Sequence, residues 1–248
     1  MRKISLRIGN IVFFLDSFKD LSVDGGLKSF ICEDDTFAEN RIHIRILEMK
    51  ENMKFSGSFR GRDGLLEYYS DGEQLFCSDI SGKDGSACLV SYSLNDRQIF
   101  VYLNESVFPE AFPSFNKVLQ MLPLREYLTE YDTLLLHSSQ VWIRQADLNR
   151  SLGNSIIFTA DSGTGKTTQA KLWEKYEGAE LISNDRTIFY QDKGNLCSSG
   201  FFVDGSEPVY NIQNVRPAAI VCLAQGPDNR IERLKASKAL SLLMRQTV

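Results

Sequence analysis

The chain has 248 residues, enough for one large domain or two smaller ones, and a chain of this length needs neither disulfides nor a metal to fold. Its 28 basic and 32 acidic residues exclude the strongly basic character typical of nucleic-acid-binding proteins. No apolar run approaches the length of a transmembrane helix, about 20 residues, and the N-terminal apolar stretch is too short for a signal peptide. The five cysteines are scattered, without metal-ligand spacing. We therefore expect a soluble, cytoplasmic protein whose partners include neither nucleic acid nor a membrane.

Residues 1–113 show the patterns of β-strands. Alternating apolar and polar residues in "KISLRI" and "RIHIRIL" are typical of half-buried strands. Two hairpins are indicated, because polar turn residues around Asp71 and around Asp96 each separate two short apolar runs. These features predict a β-rich N-terminal region, 1–113, arranged as an antiparallel meander, to which we assign no chemistry.

A second domain is predicted at 114–248, after a segment, 104–115, that contains two prolines. In "NKVLQMLPLREYLTEYD" the helical spacing is interrupted by Pro123, which predicts two short helices. Strands are predicted for "TLLLHSSQVWI", "SIIFTA" and "AELISND", with a helix from Thr167 to about Tyr176 between the last two. Strand, loop, helix and strand in this order indicate an α/β fold. Near the end, "PAAIVCLAQ" and "RIERLKA" predict strands, and "SKALSLLMRQTV" predicts a helix that runs to the last residue.

The stretch "ADSGTGKT", residues 160–167, matches the phosphate-loop pattern with Ala160 in place of the first glycine. Glycines at 163 and 165 let the backbone curl into a nest of N–H groups, and the next helix directs its N-terminus at the same anion. Lys166 can reach the β- and γ-phosphates of a nucleotide, and the Thr167 hydroxyl can bind Mg²⁺. The residues predicted to bind the nucleotide are Asp161, Ser162, Gly163, Thr164, Gly165, Lys166, Thr167 and Thr168.

The helix that follows this loop has its own apolar pattern. Ala170 and Trp173 are three residues apart, and Leu172 and Tyr176 are four apart. This spacing predicts that all four side chains pack in the core, and none is interpreted as a platform for the base of a nucleotide.

Two further residues are candidates for the chemistry. Asp185 ends the strand "ELISND", and functional side chains of open α/β sheets gather at the carboxyl ends of strands. If this strand neighbours residues 155–160, Asp185 is a Mg²⁺ ligand or general base near the loop; the alternative is a turn or helix-capping aspartate. His137 follows the apolar run 134–136, and its residue type fits a packed histidine and a site residue equally well.

Several segments taken together resemble the HPr kinase/phosphorylase-like family, in particular its small HPr kinase-related proteins. These segments are "LLLHSSQVWI", "IIFTADSGTGKTTQAKLW", "LISNDR" and "AAIVCLAQ" with "IERLKASKALSLLMRQT". The loop and its strand are also similar to those of phosphoenolpyruvate carboxykinases. The resemblance covers residues 133–248 and implies an α/β, P-loop-containing HPr kinase/PEP carboxykinase-like core. It implies a Mg²⁺-dependent kinase that uses ATP, with GTP not distinguished, and phosphorylates a serine-type hydroxyl of a protein, peptide or small molecule.

By this resemblance the catalytic residues are Lys166, Asp185 and His137, and the metal ligands are Thr167 and Asp185. The chain departs from the family where relatives usually have two consecutive aspartates, because here Arg186 follows Asp185. One carboxylate cannot easily bind Mg²⁺ and also accept the proton of the hydroxyl.

A second departure is the stretch "SSGFFVDGSEPVYN", which keeps little beyond glycine of a segment that relatives share. Asp204 or Glu207 in this stretch is either the missing carboxylate or a solvated loop charge. The departures leave a second hypothesis beside the kinase, a catalytically degenerate nucleotide-binding sensor or scaffold protein. Two weaker hypotheses are a carboxykinase-type lyase, which needs a second metal and a longer chain, and a binding module whose β-rich half binds a partner.

Overall fold

The structure, a computed structural model, describes residues 2–23, 25–33, 40–50, 53, 57–63, 66–72, 74–79, 88–93, 96–104, 114–122, 124–144, 154–202 and 214–247. The chain divides into two compact units, Met1–Tyr131 (unit 1) and Asp132–Val248 (unit 2), each with its own sheet. It is a mixed α/β chain, rich in sheet and with few helices. The helical segments between residues 115 and 130 belong to unit 1, whereas the expected boundary at residue 113 groups them with the phosphate loop.

Unit 1 is built on a nine-stranded sheet of mixed direction. Its strands are β1 Arg2–Ile8, β2 Ile11–Ser17, β3 Ile31–Cys32, β4 Asn40–Glu48, β5 Ser58–Asp63, β6 Leu66–Ser70, β7 Leu75–Asp79, β8 Cys88–Tyr92 and β9 Gln98–Leu103. Their spatial order is β3-β1-β2-β4-β9-β8-β7-β6-β5. Both predicted hairpins are confirmed, because β6 pairs with β7 and β8 pairs with β9 in antiparallel fashion.

The predicted antiparallel meander is wrong in the middle of this sheet, where β4 runs parallel to both β2 and β9. Between β2 and β4 the chain passes through a 3₁₀ helix, Gly25–Phe30, and through β3, which pairs with β1. Parallel neighbours need such a crossover, and alternation within a strand contains no information about strand direction. The alternation itself is confirmed, since Ile42, Ile44 and Ile46 are fully buried while His43 and Arg45 are exposed.

Two short helices complete unit 1, α1 (Phe115–Gln120) and α2 (Leu124–Glu130), with the break between them predicted from the sequence. Tyr127 of α2 is fully buried, and its hydroxyl donates a hydrogen bond of 3.0 Å to the backbone oxygen of Ser93. Helix α2 is thereby attached to the chain that follows β8.

No helix in the described ranges has the length and apolar character needed to cross a membrane.

Unit 2 contains a six-stranded sheet and two helices. Its elements are β10 Leu134–Trp142, β11 Ser155–Thr159, α3 Lys166–Glu177, β12 Glu180–Ser183, β13 Arg186–Asp192, β14 Asn195–Gly200, β15 Pro217–Cys222 and α4 Ala236–Met244. The spatial order is β14-β13-β10-β11-β15, and β12 also pairs with β10. Of these described pairs, β11 with β15 is parallel and the others are antiparallel.

Two predictions for the C-terminal part of unit 2 are wrong. The strand predicted at residues 230–236 is not formed, and the exposed fraction of Ile231 is 88%, so the alternation there does not mark a buried face. Helix α4 ends at Met244 rather than continuing to the last residue, because Thr247 forms an antiparallel bridge with Leu136 of β10. The C-terminal residues therefore pair with the sheet instead of extending the helix.

Strands β13 and β14 were not predicted, and they form an antiparallel hairpin. The turn is made by Lys193 and Gly194, both with positive φ, 48° and 75°. Two consecutive residues of this conformation make a tight turn whose twist matches that of paired strands. The Lys-Gly pair is a weaker signal for such a turn than the Asn-Gly or Asp-Gly pairs that usually mark it.

Helix α3 packs on one face of the unit 2 sheet through Ala170 and Trp173, as predicted. The predicted burial of Leu172 and Tyr176 is wrong, since their exposed fractions are 42% and 67%. With about 3.6 residues per turn, positions 172 and 176 fall on the side of the helix away from Ala170. The buried cluster under α3 consists of Val141, Phe158, Ala170 and Ala179.

The opposite face of the same sheet contains a buried polar residue, Gln140 of β10. Its Nε2 donates hydrogen bonds to Ser155 Oγ at 3.0 Å and to Ser198 Oγ at 2.7 Å. Because Ser155 lies on β11 and Ser198 lies on β14, one amide connects three strands. Ile157 is fully buried on this face, in an apolar cluster beside the polar contact.

Ile157→Ala is expected to lower the free energy of unfolding of unit 2 by about 2–5 kcal/mol, because it removes a fully buried side chain from this cluster. Urea unfolding followed by tryptophan fluorescence measures the change, since both tryptophans of the chain, Trp142 and Trp173, lie in unit 2. The matched control is Leu196→Ala, whose side chain is 53% exposed and whose loss costs less than about 1 kcal/mol. An equal decrease in the free energy of unfolding for the two variants would contradict the burial of Ile157.

Candidate functional site

The segment between β11 and α3, residues 160–167, is called the glycine loop below. Gly163 and Gly165 have φ angles of 77° and 111°, a left-handed conformation that glycine adopts without strain. The backbone N–H of Thr164 donates to the Asp161 oxygen at 3.3 Å, which closes the turn. The backbone therefore reverses direction over a few residues, and Gly165 is the N-cap residue of α3.

The start of α3 has no side-chain cap: the N-cap residue Gly165 offers no oxygen to the first-turn N–H groups. The first N–H groups of a helix lack partners within the helix, and the helix dipole adds positive potential at this end. The first turn of α3 also contains no acidic residue. This end of the helix therefore has the electrostatic character of an anion-binding site.

Lys166 is buried at the base of the glycine loop, with an exposed fraction of 7%. Its Nζ donates hydrogen bonds to the backbone oxygens of Ala160 at 2.9 Å and Asp161 at 3.3 Å. Burial lowers the pKa of the Lys166 ammonium, while the carboxylates of Asp185 and Asp161 oppose this effect. A cation held by uncharged carbonyl oxygens keeps its charge available to an incoming anion.

The glycine loop borders an open cavity of about 420 Å³, within the size range of small-ligand pockets. It is lined by His137, Ser162, Gly163, Gly165, Lys166, Thr167, Thr168, Asn184 and Asp185. The structure thus brings the three residues expected to be catalytic together with most of the residues expected to bind a nucleotide. The remaining two, Asp161 and Thr164, are part of the loop but do not line the cavity.

Asp185 reaches this cavity by a route different from the expected one. The condition stated for its position, that its strand neighbours β11, is not met, because β12 pairs with β10, which lies between them. The turn after β12 is fixed on β10 instead: the Ser138 N–H donates to the Asp185 backbone oxygen at 2.9 Å, and Ser139 Oγ donates to the Asn184 oxygen at 3.0 Å. These bonds hold residues 184 and 185 beside the loop.

The Asp185 carboxylate lies between two potential cations. Its Oδ1 is 3.6 Å from His137 Nε2, and its Oδ2 is 3.6 Å from Arg186 Nε. Both distances exceed those of good hydrogen bonds, so these are electrostatic contacts. Burial lowers the pKa of His137, and nearby Lys166 and Arg186 lower it further, whereas Asp185 and a hydrogen bond with Gln246 raise it.

Oxygen-bearing side chains at the cavity include the Asp185 carboxylate and the hydroxyls of Ser162, Thr167 and Thr168. Hard oxygen donors of this kind suit Mg²⁺, which is usually bound by one or two carboxylates and completed by substrate phosphates and water. Within the described ranges, no group of three or more His, Cys, Asp and Glu residues forms a metal site from protein alone. The donor set therefore fits Mg²⁺ brought by a phosphate-containing ligand. Asp204 and Glu207, the candidates for a second carboxylate, lie outside the described residues.

Two residues at the site were missed by sequence reasoning. Asn184 lines the cavity next to Asp185, and its oxygen-bearing amide directly before a candidate metal ligand was a usable signal. Gln246 lies in the C-terminal segment, and its Nε2 donates to Asp161 Oδ1 at 2.7 Å. Nothing in the sequence signals that contact, because it joins residues 85 positions apart.

The pKa of His137 is expected to lie below the ordinary histidine value of 6.5, so that its imidazole is neutral at pH 7. Asp185→Asn should lower this pKa further, because it removes a carboxylate that favours the imidazolium. NMR titration of the imidazole protons measures both values. The chain has two histidines, so His43→Asn leaves a single signal to follow.

The lowered pKa of His137 also predicts how the free energy of unfolding depends on pH. Above the unfolded value of about 6.5, His137 is neutral in both states and contributes nothing. As the pH falls through 6.5 the unfolded chain binds the proton more readily, so the free energy of unfolding decreases. A His137 pKa above 6.5, or a higher His137 pKa in the Asp185→Asn variant, would contradict the burial and the neighbouring charges described for this imidazole.

Comparison with known proteins returned no match for this chain among protein-family models, curated proteins or solved structures.

Proposed function

We propose that this protein is an ATP-dependent kinase of the HPr kinase/phosphorylase-like type, with a P-loop core similar to that of PEP carboxykinases. It transfers a phosphoryl group to a serine-type hydroxyl of a protein, peptide or small molecule, with Mg²⁺ as cofactor and GTP as an alternative to ATP. The observation that supports this proposal most is the shared cavity: Lys166, Asp185 and His137 line it together with the glycine loop. Phosphoryl transfer depends chiefly on positioning and on charge stabilisation, and these residue types supply both.

In this proposal the glycine loop binds the phosphates of the nucleotide. The N–H groups of the loop and the first turn of α3 donate to phosphate oxygens, as helix N-termini do for anions. Lys166 exchanges its bonds to the carbonyls of Ala160 and Asp161 for bonds to phosphate oxygens, a short movement of a flexible side chain. The exchange is favourable because a phosphate oxygen carries negative charge, so its bond to the ammonium adds a charge–charge attraction that a neutral carbonyl does not offer.

The Mg²⁺ site would be formed by Thr167 and Asp185, which line the same cavity. When bound, the ion neutralises charge on the phosphates. The proton of the acceptor hydroxyl must go to a group of this chain, and the candidates are Asp185 and His137, whose side chains approach to 3.6 Å. Asp185 therefore acts as metal ligand or as general base, and His137 adjoins it in either role.

The alternative function is that of a nucleotide-binding sensor or scaffold protein without catalysis. Arg186 favours it, because its guanidinium lies 3.6 Å from Asp185 Oδ2, at the position where relatives of the proposed type have a second carboxylate. With a single carboxylate at this place, binding Mg²⁺ and accepting the proton of the hydroxyl compete for the same group. ATP binding without phosphoryl transfer to any added peptide, protein or small hydroxyl compound would support this alternative.

Lys166→Ala is expected to weaken nucleotide binding by about tenfold to 100-fold, since one or two charge-assisted hydrogen bonds to phosphate are lost. Calorimetric titration with ATP, GTP and ADP, with and without Mg²⁺, measures this. The matched control is Lys175→Ala, an exposed lysine of the same helix whose ammonium lies over the Tyr176 ring. Unchanged affinity in Lys166→Ala, with circular dichroism like that of the unmodified chain, would refute the proposed phosphate site.

Asp185→Asn separates the two roles proposed for this residue. If Asp185 is the general base, turnover should fall by about 10²- to 10⁴-fold while Mg²⁺-dependent ATP affinity is nearly kept. If it is the metal ligand, the difference between ATP affinities measured with and without Mg²⁺ should shrink. Retention of both turnover and the Mg²⁺ effect would remove Asp185 from the proposed site.

A further inference from the structure

The segment that follows α4 is fixed on β10 beside the cavity. The N–H of His137 donates to the backbone oxygen of Gln246 at 2.9 Å, and Thr247 forms an antiparallel bridge with Leu136. These backbone contacts fix the position of Gln246 independently of its side chain. A substitution of this side chain therefore tests its chemistry without removing the segment from the sheet.

The side chain of Gln246 contacts the glycine loop. Its Nε2 donates a hydrogen bond of 2.7 Å to Oδ1 of Asp161, and the same amide hydrogen-bonds His137. The bond to Asp161 is short, as expected when the acceptor is ionised. Gln246 is half-buried, while Asp161 is exposed.

Released from Gln246, the Asp161 carboxylate would oppose anion binding in two ways. An aspartate in a turn readily accepts a hydrogen bond from the backbone N–H two residues later, which here belongs to Gly163. That N–H is one of the donors that the proposed function assigns to phosphate. The carboxylate also repels a polyphosphate by its charge, and the repulsion grows as the two approach.

We propose that Gln246 is a positioning residue for the glycine loop: its amide holds the Asp161 carboxylate toward the C-terminal segment and leaves the loop N–H groups available for a polyphosphate. The inference rests on the proposed nucleotide function for its ligand class, the polyphosphate group of a nucleotide. The placement of the carboxylate is a property of the protein without ligand. The positioning role of Gln246 and the proposed nucleotide function can therefore fail separately.

The first test uses calorimetric titration of the full chain with ATP·Mg²⁺ and with inorganic tripolyphosphate. Gln246→Glu replaces the donor with a second carboxylate, and we expect affinity for both probes to fall by about tenfold. Gln191→Glu is the matched control: it adds the same charge at an exposed position of β13, and affinity should stay within about twofold.

The double variant Asp161→Asn with Gln246→Glu exchanges donor and acceptor and keeps the net charge of the unmodified chain. The new amide can donate to the new carboxylate, so most of the affinity lost in Gln246→Glu should return. Additive losses in the double variant, or a Gln246→Glu affinity equal to that of the Gln191→Glu control, would overturn the inference.

The second test needs no ligand. Hydrogen–deuterium exchange of peptides that cover residues 161–167 should be slower in Gln246→Glu than in the unmodified chain, because the released Asp161 carboxylate accepts a hydrogen bond from the Gly163 N–H, and it should return toward the original rate in the double variant. If no nucleotide binds to the unmodified chain but exchange changes in this way, the proposed function fails and the positioning role stands. If nucleotide binds and exchange is the same in all variants, the positioning role fails and the proposed function stands.

Discussion

The arrangement of unit 2 depends on how the backbone of β10 satisfies its hydrogen bonds. A buried strand must find partners for its N–H and C=O groups, and β10 does so with several segments in succession. Beyond residue 138 it pairs with β11 and β12; before that point it pairs with β13 and with the C-terminal segment. The exchange of partners occurs at His137 and Ser138. The glycine loop, Asp185 and Gln246 meet there because four separate segments reach the same short stretch of backbone.

The charges around the cavity are distributed unevenly. On the loop side, the Lys166 ammonium is bound by neutral carbonyls and the start of α3 adds positive potential, while the Asp161 carboxylate is bound by an amide. On the opposite side, the Asp185 carboxylate lies between the neutral imidazole of His137 and the Arg186 guanidinium, and the guanidinium partly compensates its charge. One wall of the cavity thus attracts anions, and the other offers a carboxylate and an imidazole beside it.

The local elements of the chain were largely predictable from the sequence, and the connections between distant elements were not. The glycine spacing at 163 and 165 identified the loop, because few residues other than glycine adopt its backbone conformation. The alternation around Ile44 identified β4 but contained no sign of its two parallel neighbours. The resemblance suggested that Asp185 and His137 share a site, yet the pairing that brings them together runs through β10 rather than through β11. Gln246 was out of reach of sequence reasoning, because its role depends on the long-range bridge at Thr247.

The buried amide of Gln140 has a consequence for the pleat of β10. Successive side chains of a strand point to opposite faces, so a slip of one residue exchanges the two faces completely. Such a slip would place Gln140 in the apolar cluster under α3 and Val141 against Ser155 and Ser198. A buried amide without partners costs about 1–3 kcal/mol, a penalty that weighs against the slipped alignment. The same slip would turn His137 away from the glycine loop. The hydrogen bonds of this amide therefore help to set the register of β10. A polar contact on one face of the sheet thus determines which side chains of β10 face the cavity on the opposite face.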